Sequence, residues 1–291
     1  MSRILLQTTI PPTEDDWSIA RFGLLRDSLA ALGHQVTARD RQVDASGNDP
    51  VLSNLSRGQF DQVWLFAVDV GDGLSDGDCA GLVRFRQEGG GLLTARDHQD
   101  LGSSLCRLAG VCGAIAAAHH FHSINPEPDP TRHYPDDQDT PTISYPNYHS
   151  GRNGDYQEVT VPEPVHPLMQ RADGQPIAFL PAHPHEGAVH APDETAQVIA
   201  QGQSRVSGRS FNLVVAWEGG GAGRAIASST FHHFADYNWN AAMACPSFVT
   251  EPPGNTMQTE PQSLADTLRF MENLATWLHG PADAVGAKLT R

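Results

Sequence analysis

The chain carries 14 histidines, and where they meet carboxylates is where chemistry is to be sought. In Gly89-Gly90-Gly91-Leu92-Leu93-Thr94-Ala95-Arg96-Asp97-His98 a glycine hinge and a short apolar strand run directly into Arg, Asp and His. Imidazole is the side chain best suited to proton transfer near neutral pH, and it is also the commonest metal ligand. Asp97 beside His98 therefore pairs a base with a group that can orient it. Arg96 offers a cation for an anionic or hydroxyl-rich part of a substrate.

Three further clusters repeat the pattern. Pro181-Ala182-His183-Pro184-His185-Glu186-Gly187 puts two imidazoles and a carboxylate on one turn, with His190 following. Ser228-Ser229-Thr230-Phe231-His232-His233 closes a late strand, and His119, His120 and His122 stand around Phe121. The expected catalytic groups are Asp97, His98 and His232, with His98 or His232 as general base. Arg96, His183, His185, Glu186, His122 and His233 are the expected substrate contacts.

Each cluster also has a plainer reading: His183 and His185 as surface turn residues, the His119 tetrad as solvated loop, Asp69, Asp97 and Asp100 as helix caps or turn formers. Of His232 and His233, one is expected to face the site and the other to pack.

No HExxH string is present, but His183, His185, His232 and Asp97 have the ligand chemistry of a zinc or iron site. Glu186 and Asp236 are the expected acceptors behind such ligands. A divalent metal is thus allowed, and no organic cofactor is expected because GxGxxG is missing after the first strand. GxSxG and its cysteine counterpart are absent as well. Cys106 and Cys112 read as core thiols whose removal leaves activity intact.

These residues need a scaffold that brings strand ends together. Arg3 to Thr9 reads as a buried strand ending at a Pro11-Pro12 turn. Asp15 or Asp16 then caps a helix from Trp17 to about Leu32, with Phe22, Leu25, Leu29 and Leu32 inward. Gln35–Ala38, Val63–Val68 and Gly91–Ala95 are strands, with a helix from Ser75 to about Glu88 before the last. This order predicts an α/β fold with a doubly wound, mostly parallel sheet and helices on both faces. The ends of its first, third and fourth strands share one edge, where such sheets bind ligands.

A long His/Pro/Asp-rich insertion, about residues 119–150, is expected to cover that edge. Strands near Gln157–Val161, Ile177–Leu180, Gln197–Ala200, Phe211–Trp217 and Arg224–Ser228 follow, the last two antiparallel across Glu218–Gly223. A final helix over Ser263–Leu278 packs Leu264, Leu268, Met271, Leu274, Ala275 and Leu278.

The 291 residues suffice for a substantial core. The net charge of −15 argues against nucleic acid and anionic membrane surfaces and leaves a small molecule as the expected partner, with a homo-oligomer allowed. The opening Met1–Gln7 lacks the apolar run of a signal peptide, and the four cysteines show no CxxC spacing. A cytoplasmic protein is expected.

The order of these features resembles the class I glutamine amidotransferase-like superfamily and, within it, the trehalose-utilisation (ThuA-like) proteins. Gly89–Leu93 leading to His98 is similar to that family's glycine-led strand ending in a histidine turn. Glu163-Pro164-Val165-His166-Pro167-Leu168 is similar to its HP-plus-apolar turn. Gly223–Ser228, followed by Phe231-His232-His233 and Trp239, is similar to its late histidine-ended strand. The resemblance implies a flavodoxin-like sandwich in one domain over residues 1–291, with a site at the strand carboxyl ends. The elbow cysteine of true amidotransferases is missing, so glutaminase activity is not expected. The expected activity is hydrolysis, elimination or isomerisation of a small polar metabolite, such as a sugar derivative. The alternative is a non-catalytic small-molecule-binding pseudoenzyme of the same fold.

Overall fold

The computed structural model describes residues 1–11, 17–108, 113–119 and 147–280. Its strands are β1 (Arg3–Thr8), β2 (Gln35–Arg39), β3 (Gln62–Phe66), β4 (Gly91–Ala95), β5 (Tyr156–Glu158), β6 (Phe179–Pro181), β7 (Ala196–Gln203), β8 (Ser210–Trp217) and β9 (Ala225–Ser228). Its helices are α1 (Gly23–Ala31), α2 (Pro50–Ser53), α3 (Asp76–Gln87), α4 (Gly113–Ala118), α5 (Asp236–Trp239), α6 (Thr256–Thr259) and α7 (Pro261–Leu278).

Seven strands form one sheet in the order β2-β1-β3-β4-β9-β8-β7, and β5 pairs with β6 apart from it. The first five are mutually parallel and follow the flavodoxin-like order; β8 and β7 add an antiparallel edge. Strands in such a sheet are covered on both faces and read as unbroken apolar runs. Ile4 and Leu6 accordingly join Trp64, Phe66 and Leu93 under α1 and α7, while Leu5 joins Val63, Leu65 and Leu92 under α2 and α3. Each such side chain contributes about 1.5–3 kcal/mol of burial.

Register sets the site. Thr8 pairs with Phe66, Phe66 with Ala95, and Ala95 with Ser228, so four parallel strands end level with one another. Whatever follows Ala95 and Ser228 must emerge at one edge.

Several local expectations change. Ile19–Phe22 is a 3-10 turn, and α1 starts only at Gly23. Its N-terminus is capped from far along the chain: Gly23 and Leu24 donate their N–H groups to Asp236 at 3.0 and 2.8 Å. Asp15 and Asp16 lie outside the described residues, and Asp236 is spent on this cap rather than on a histidine. Leu32 and Leu268 are exposed, because Leu32 falls past the end of α1 and Leu268 turns away from the Phe270–Leu274–Leu278 face. Most of the expected insertion, residues 120–146, lies outside the description. Among the described residues no helix is long and apolar enough to cross a membrane.

Candidate functional site

Three segments converge beyond β4 and β9. Asp97 and His98 follow β4, His232 sits on a 3-10 turn (Phe231–Phe234) after β9, and His183 and His185 occupy the turn after β6. The Thr230 hydroxyl accepts the His232 N–H at 3.0 Å and starts that turn. Ser150 holds the β6 turn, its Oγ accepting the His183 N–H at 2.9 Å. Gly187 locks the three together: a Cβ there would come within 2.9–3.0 Å of the Ser229 carbonyl and of Asp97 backbone atoms.

Asp97 is the centre. Its side chain is wholly buried, and Oδ2 lies 2.8 Å from His98 Nδ1, 3.4 Å from His232 Nε2 and 3.9 Å from His183 Nδ1. Its Oδ1 has no hydrogen-bond partner among the described residues. Burial works to raise the Asp97 pKa, but His98, His183 and His232 outweigh it and hold the carboxyl well below its usual range. For His183 burial dominates; with help from His232 and against Asp97 it pushes the imidazole well below its ordinary value.

His232 is held from behind. Tyr237 Oη and Asn238 Oδ1 lie 2.8 and 3.1 Å from its Nδ1. The Asn238 amide orientation is settled because Nδ2 donates to the Ala182 carbonyl at 3.0 Å. Asn238 Oδ1 can only accept at Nδ1, whereas the Tyr237 hydroxyl can donate or accept there, and Nε2 is the atom turned to Asp97. Burial, and then Asp97, push the Tyr237 phenol well above its ordinary pKa. The His183 and His232 rings stack with centroids 3.4 Å apart, and the edge of Trp17 meets His232.

The cluster opens into a cavity of about 200 Å³ whose walls include Trp17, Asp97, His98, Asn153, His183, His185, His232, Tyr237, Phe248 and Glu251. His185 Nε2 is 3.3 Å from Glu251 across it. A larger hollow, about 740 Å³, lies at the other sheet edge beside Arg86, Trp217 and Gly219–Gly221. Its described lining residues include no histidine, and chemistry rather than volume selects the smaller one.

Of the residues singled out in the sequence, Asp97, His98, His183, His185 and His232 line this cavity; Arg96, Glu186 and His233 do not. Arg96 is buried and braces backbone, its guanidinium donating to the carbonyls of Leu101 at 3.0 Å, His119 at 3.4 Å and Gln99. Glu186 and His233 face each other at 3.0 Å with no exposed side-chain surface. Asp69 serves as a turn former, accepting from Gly71, Thr9 and Ser104. His119 packs behind β4 on Thr94, and burial with Arg96 and His190 lowers it to about 3. His166 caps its own turn and packs on Trp277. His120, His122 and Cys112 lie outside the described residues, as does the Cys106 side chain. Sequence reading missed Trp17, Asn153, Tyr237, Asn238, Phe248 and Glu251. Only the Gly151–Asp155 turn and the polar run after His233 hinted at any of them.

A metal would find its donors here. Ligand atoms of Asp97, His183 and His232 lie within 4.8 Å of one another, a mixture that suits zinc and other first-row ions. Of the four expected donors His185 stands outside this group and turns to Glu251. One misfit stands out: imidazoles sharing one tetrahedral zinc hold their ring centres about 5 Å apart, whereas these are stacked at 3.4 Å. The group fits by composition, and His183 must leave the stack to complete it.

No family model and no curated protein matches the chain. Among solved structures, a ThuA-like protein from Parabacteroides merdae aligns with a TM-score of 0.50 at 16% identity, covering 96% of this chain and 90% of that one. The glutaminase domain of Trypanosoma brucei CTPS, solved with bound acivicin, aligns with a TM-score of 0.45 at 13% identity over 94% of both chains. The likeness to the ThuA-like protein is one of fold, and it is the fold that the sequence resemblance implied.

Proposed function

We propose that this protein is an enzyme acting on a small polar metabolite by histidine–carboxylate acid–base chemistry: hydrolysis, elimination or isomerisation, without an elbow cysteine. The 2.8 Å contact between Asp97 Oδ2 and His98 Nδ1 at the cavity wall carries this reading. Nδ1–H donates to the carboxylate, which leaves Nε2 as the basic atom. Asp97 orients the ring and stabilises the imidazolium formed when Nε2 takes a proton. His232 is the second proton-transfer group, and His183 and His185 hydrogen-bond the ligand. Arg96 has no part in binding, since its guanidinium is engaged with backbone.

The reading takes one domain over residues 1–291, a cytoplasmic setting and a small molecule as partner, with no nucleic acid or membrane and a homo-oligomer allowed. The charge of −15 supports it. The test is to incubate the purified protein and a His98→Gln variant with sugars, polyols and organic acids, following products by mass spectrometry and binding by thermal shift. Turnover that falls at least about 100-fold in the variant, with the shift retained, is the expected result. Stabilisation by a ligand without turnover would establish the alternative, a non-catalytic binding protein of the same fold.

A further inference from the structure

We propose that Asp97, His183 and His232 bind one divalent transition-metal ion, of the class that Zn²⁺ represents. The inference rests on the reading above for the location of the site; it keeps His98 as the base, adds an electrophile, and gives His183 and His232 to the ion in place of ligand binding and proton transfer. Four observations support it.

Asp97 Oδ1 is buried and without a hydrogen-bond partner among the described residues, a state that in native structures goes with strain, a catalytic role, or a bound water or ion. His232 is held at Nδ1 by Tyr237 Oη at 2.8 Å and Asn238 Oδ1 at 3.1 Å, which leaves Nε2 turned to Asp97 Oδ2 at 3.4 Å. A cation between Nε2 and Asp97 would take Nε2 as its ligand, with Nδ1–H donating to Asn238. That is the outer support metal-bound histidines ordinarily have.

Charge points the same way. Among the described residues the cavity walls carry two carboxylates, Asp97 and Glu251, and no Lys or Arg. Finally, donor number suffices: one carboxylate oxygen and two imidazole nitrogens leave a position for water or substrate.

The cost is local. His183 must turn its ring off His232 and release the His185 N–H that now donates to its Nδ1 at 3.1 Å. One hydrogen bond and one ring stack are small beside the affinity of such ligand sets. The bound ion would polarise a hydroxyl or carbonyl, or acidify a water, within reach of the His98 base.

The experiment uses the full chain, purified without chelator, with elemental analysis followed by calorimetric titration of the stripped protein with Zn²⁺. One zinc per chain is expected. Asp97→Asn, His183→Ala and His232→Ala should each weaken binding at least about ten-fold, and His166→Ala should leave it unchanged. Because buried His232 is a risk to folding, the near-isosteric Asp97→Asn is decisive, with circular dichroism as the check on its fold. Absence of stoichiometric zinc binding, or binding unaltered in Asp97→Asn, overturns the proposal. Binding is read independently of turnover: a zinc-loaded chain that turns nothing over sinks only the enzyme reading, and a metal-free chain that does so sinks only the metal.

Discussion

Two buried carboxylates, Asp97 and Glu186, sit among histidines drawn from the same two segments, and they behave in opposite ways. Glu186 accepts from Ser150 Oγ at 2.6 Å, Gln157 Nε2 at 2.7 Å and Ser229 Oγ at 2.9 Å, and meets His233 Nε2 at 3.0 Å. Both of its oxygens are satisfied and none of its surface is exposed. Asp97 has imidazoles at 2.8, 3.4 and 3.9 Å, one orphan oxygen and a cavity in front of it. A saturated polar network rigidifies a core, and an unsaturated one at a cavity is held ready for something that arrives. On the proposed reading, the difference separates a structural pin from a working site between two carboxylates.

Removing the pin should have the largest effect on stability. Glu186→Ala strands His233, Gln157, Ser150 and Ser229 together, and urea denaturation should show a loss of about 3–5 kcal/mol. A variant with an unchanged midpoint would erase the contrast between the two carboxylates. His98→Ala should do the converse, lowering any turnover by about 10²–10⁴-fold with little change in the melting curve. Equal damage to both quantities would make His98 structural.

Gly187→Ala probes the seam between the two regions. The added methyl presses on the Ser229 carbonyl and the Asp97 backbone, and overpacking of this kind costs about 1–3 kcal/mol. It should also lower turnover, because the backbone that aims Asp97 is what moves.

A third carboxylate sharpens the comparison through pH. Asp266 accepts two bonds from Arg171, both at 2.6 Å, and N–H donation from Ala178 and Phe179. Burial alone would raise its pKa, but Arg171 and those donors bring it below the ordinary value. A depressed folded pKa means that its stabilising contribution is present above the unfolded value, about 4, and is lost as pH falls from there through the folded one. Denaturation midpoints measured from pH 7 to 3 should decline on the acid side, and Asp266→Asn should flatten that limb while lowering neutral stability by about 1–3 kcal/mol. An undiminished acid limb in Asp266→Asn would assign the decline to other carboxylates. The smallest effect is expected from Cys106→Ala and Cys112→Ala. The turn after β4 carries Arg96-Asp97-His98 in place of a nucleophile, so alkylation or removal of these thiols should leave any turnover unchanged.

The main strands, a mostly parallel sheet and the delivery of Asp97 and His98 to one edge were legible in the chain itself. Apolar runs such as Ile4-Leu5-Leu6 and Val63-Trp64-Leu65-Phe66, the glycines before Gly91 and the Ser75 cap are local signals, and local signals suffice to place strands and helices. What the chain did not disclose was the direction in which neighbours point. His185 faces the cavity and Glu186 the interior; His232 faces Asp97 and His233 faces Glu186; Arg96 turns back on the backbone beside an Asp97 that faces the site. Such turns have no fixed periodicity to assign faces. Each side chain settles where distant partners satisfy it: Ser150, Gln157 and Ser229 for Glu186, Asn238 and Tyr237 for His232. Those partners come within hydrogen-bonding distance only when the sheet has closed and its strand ends stand level.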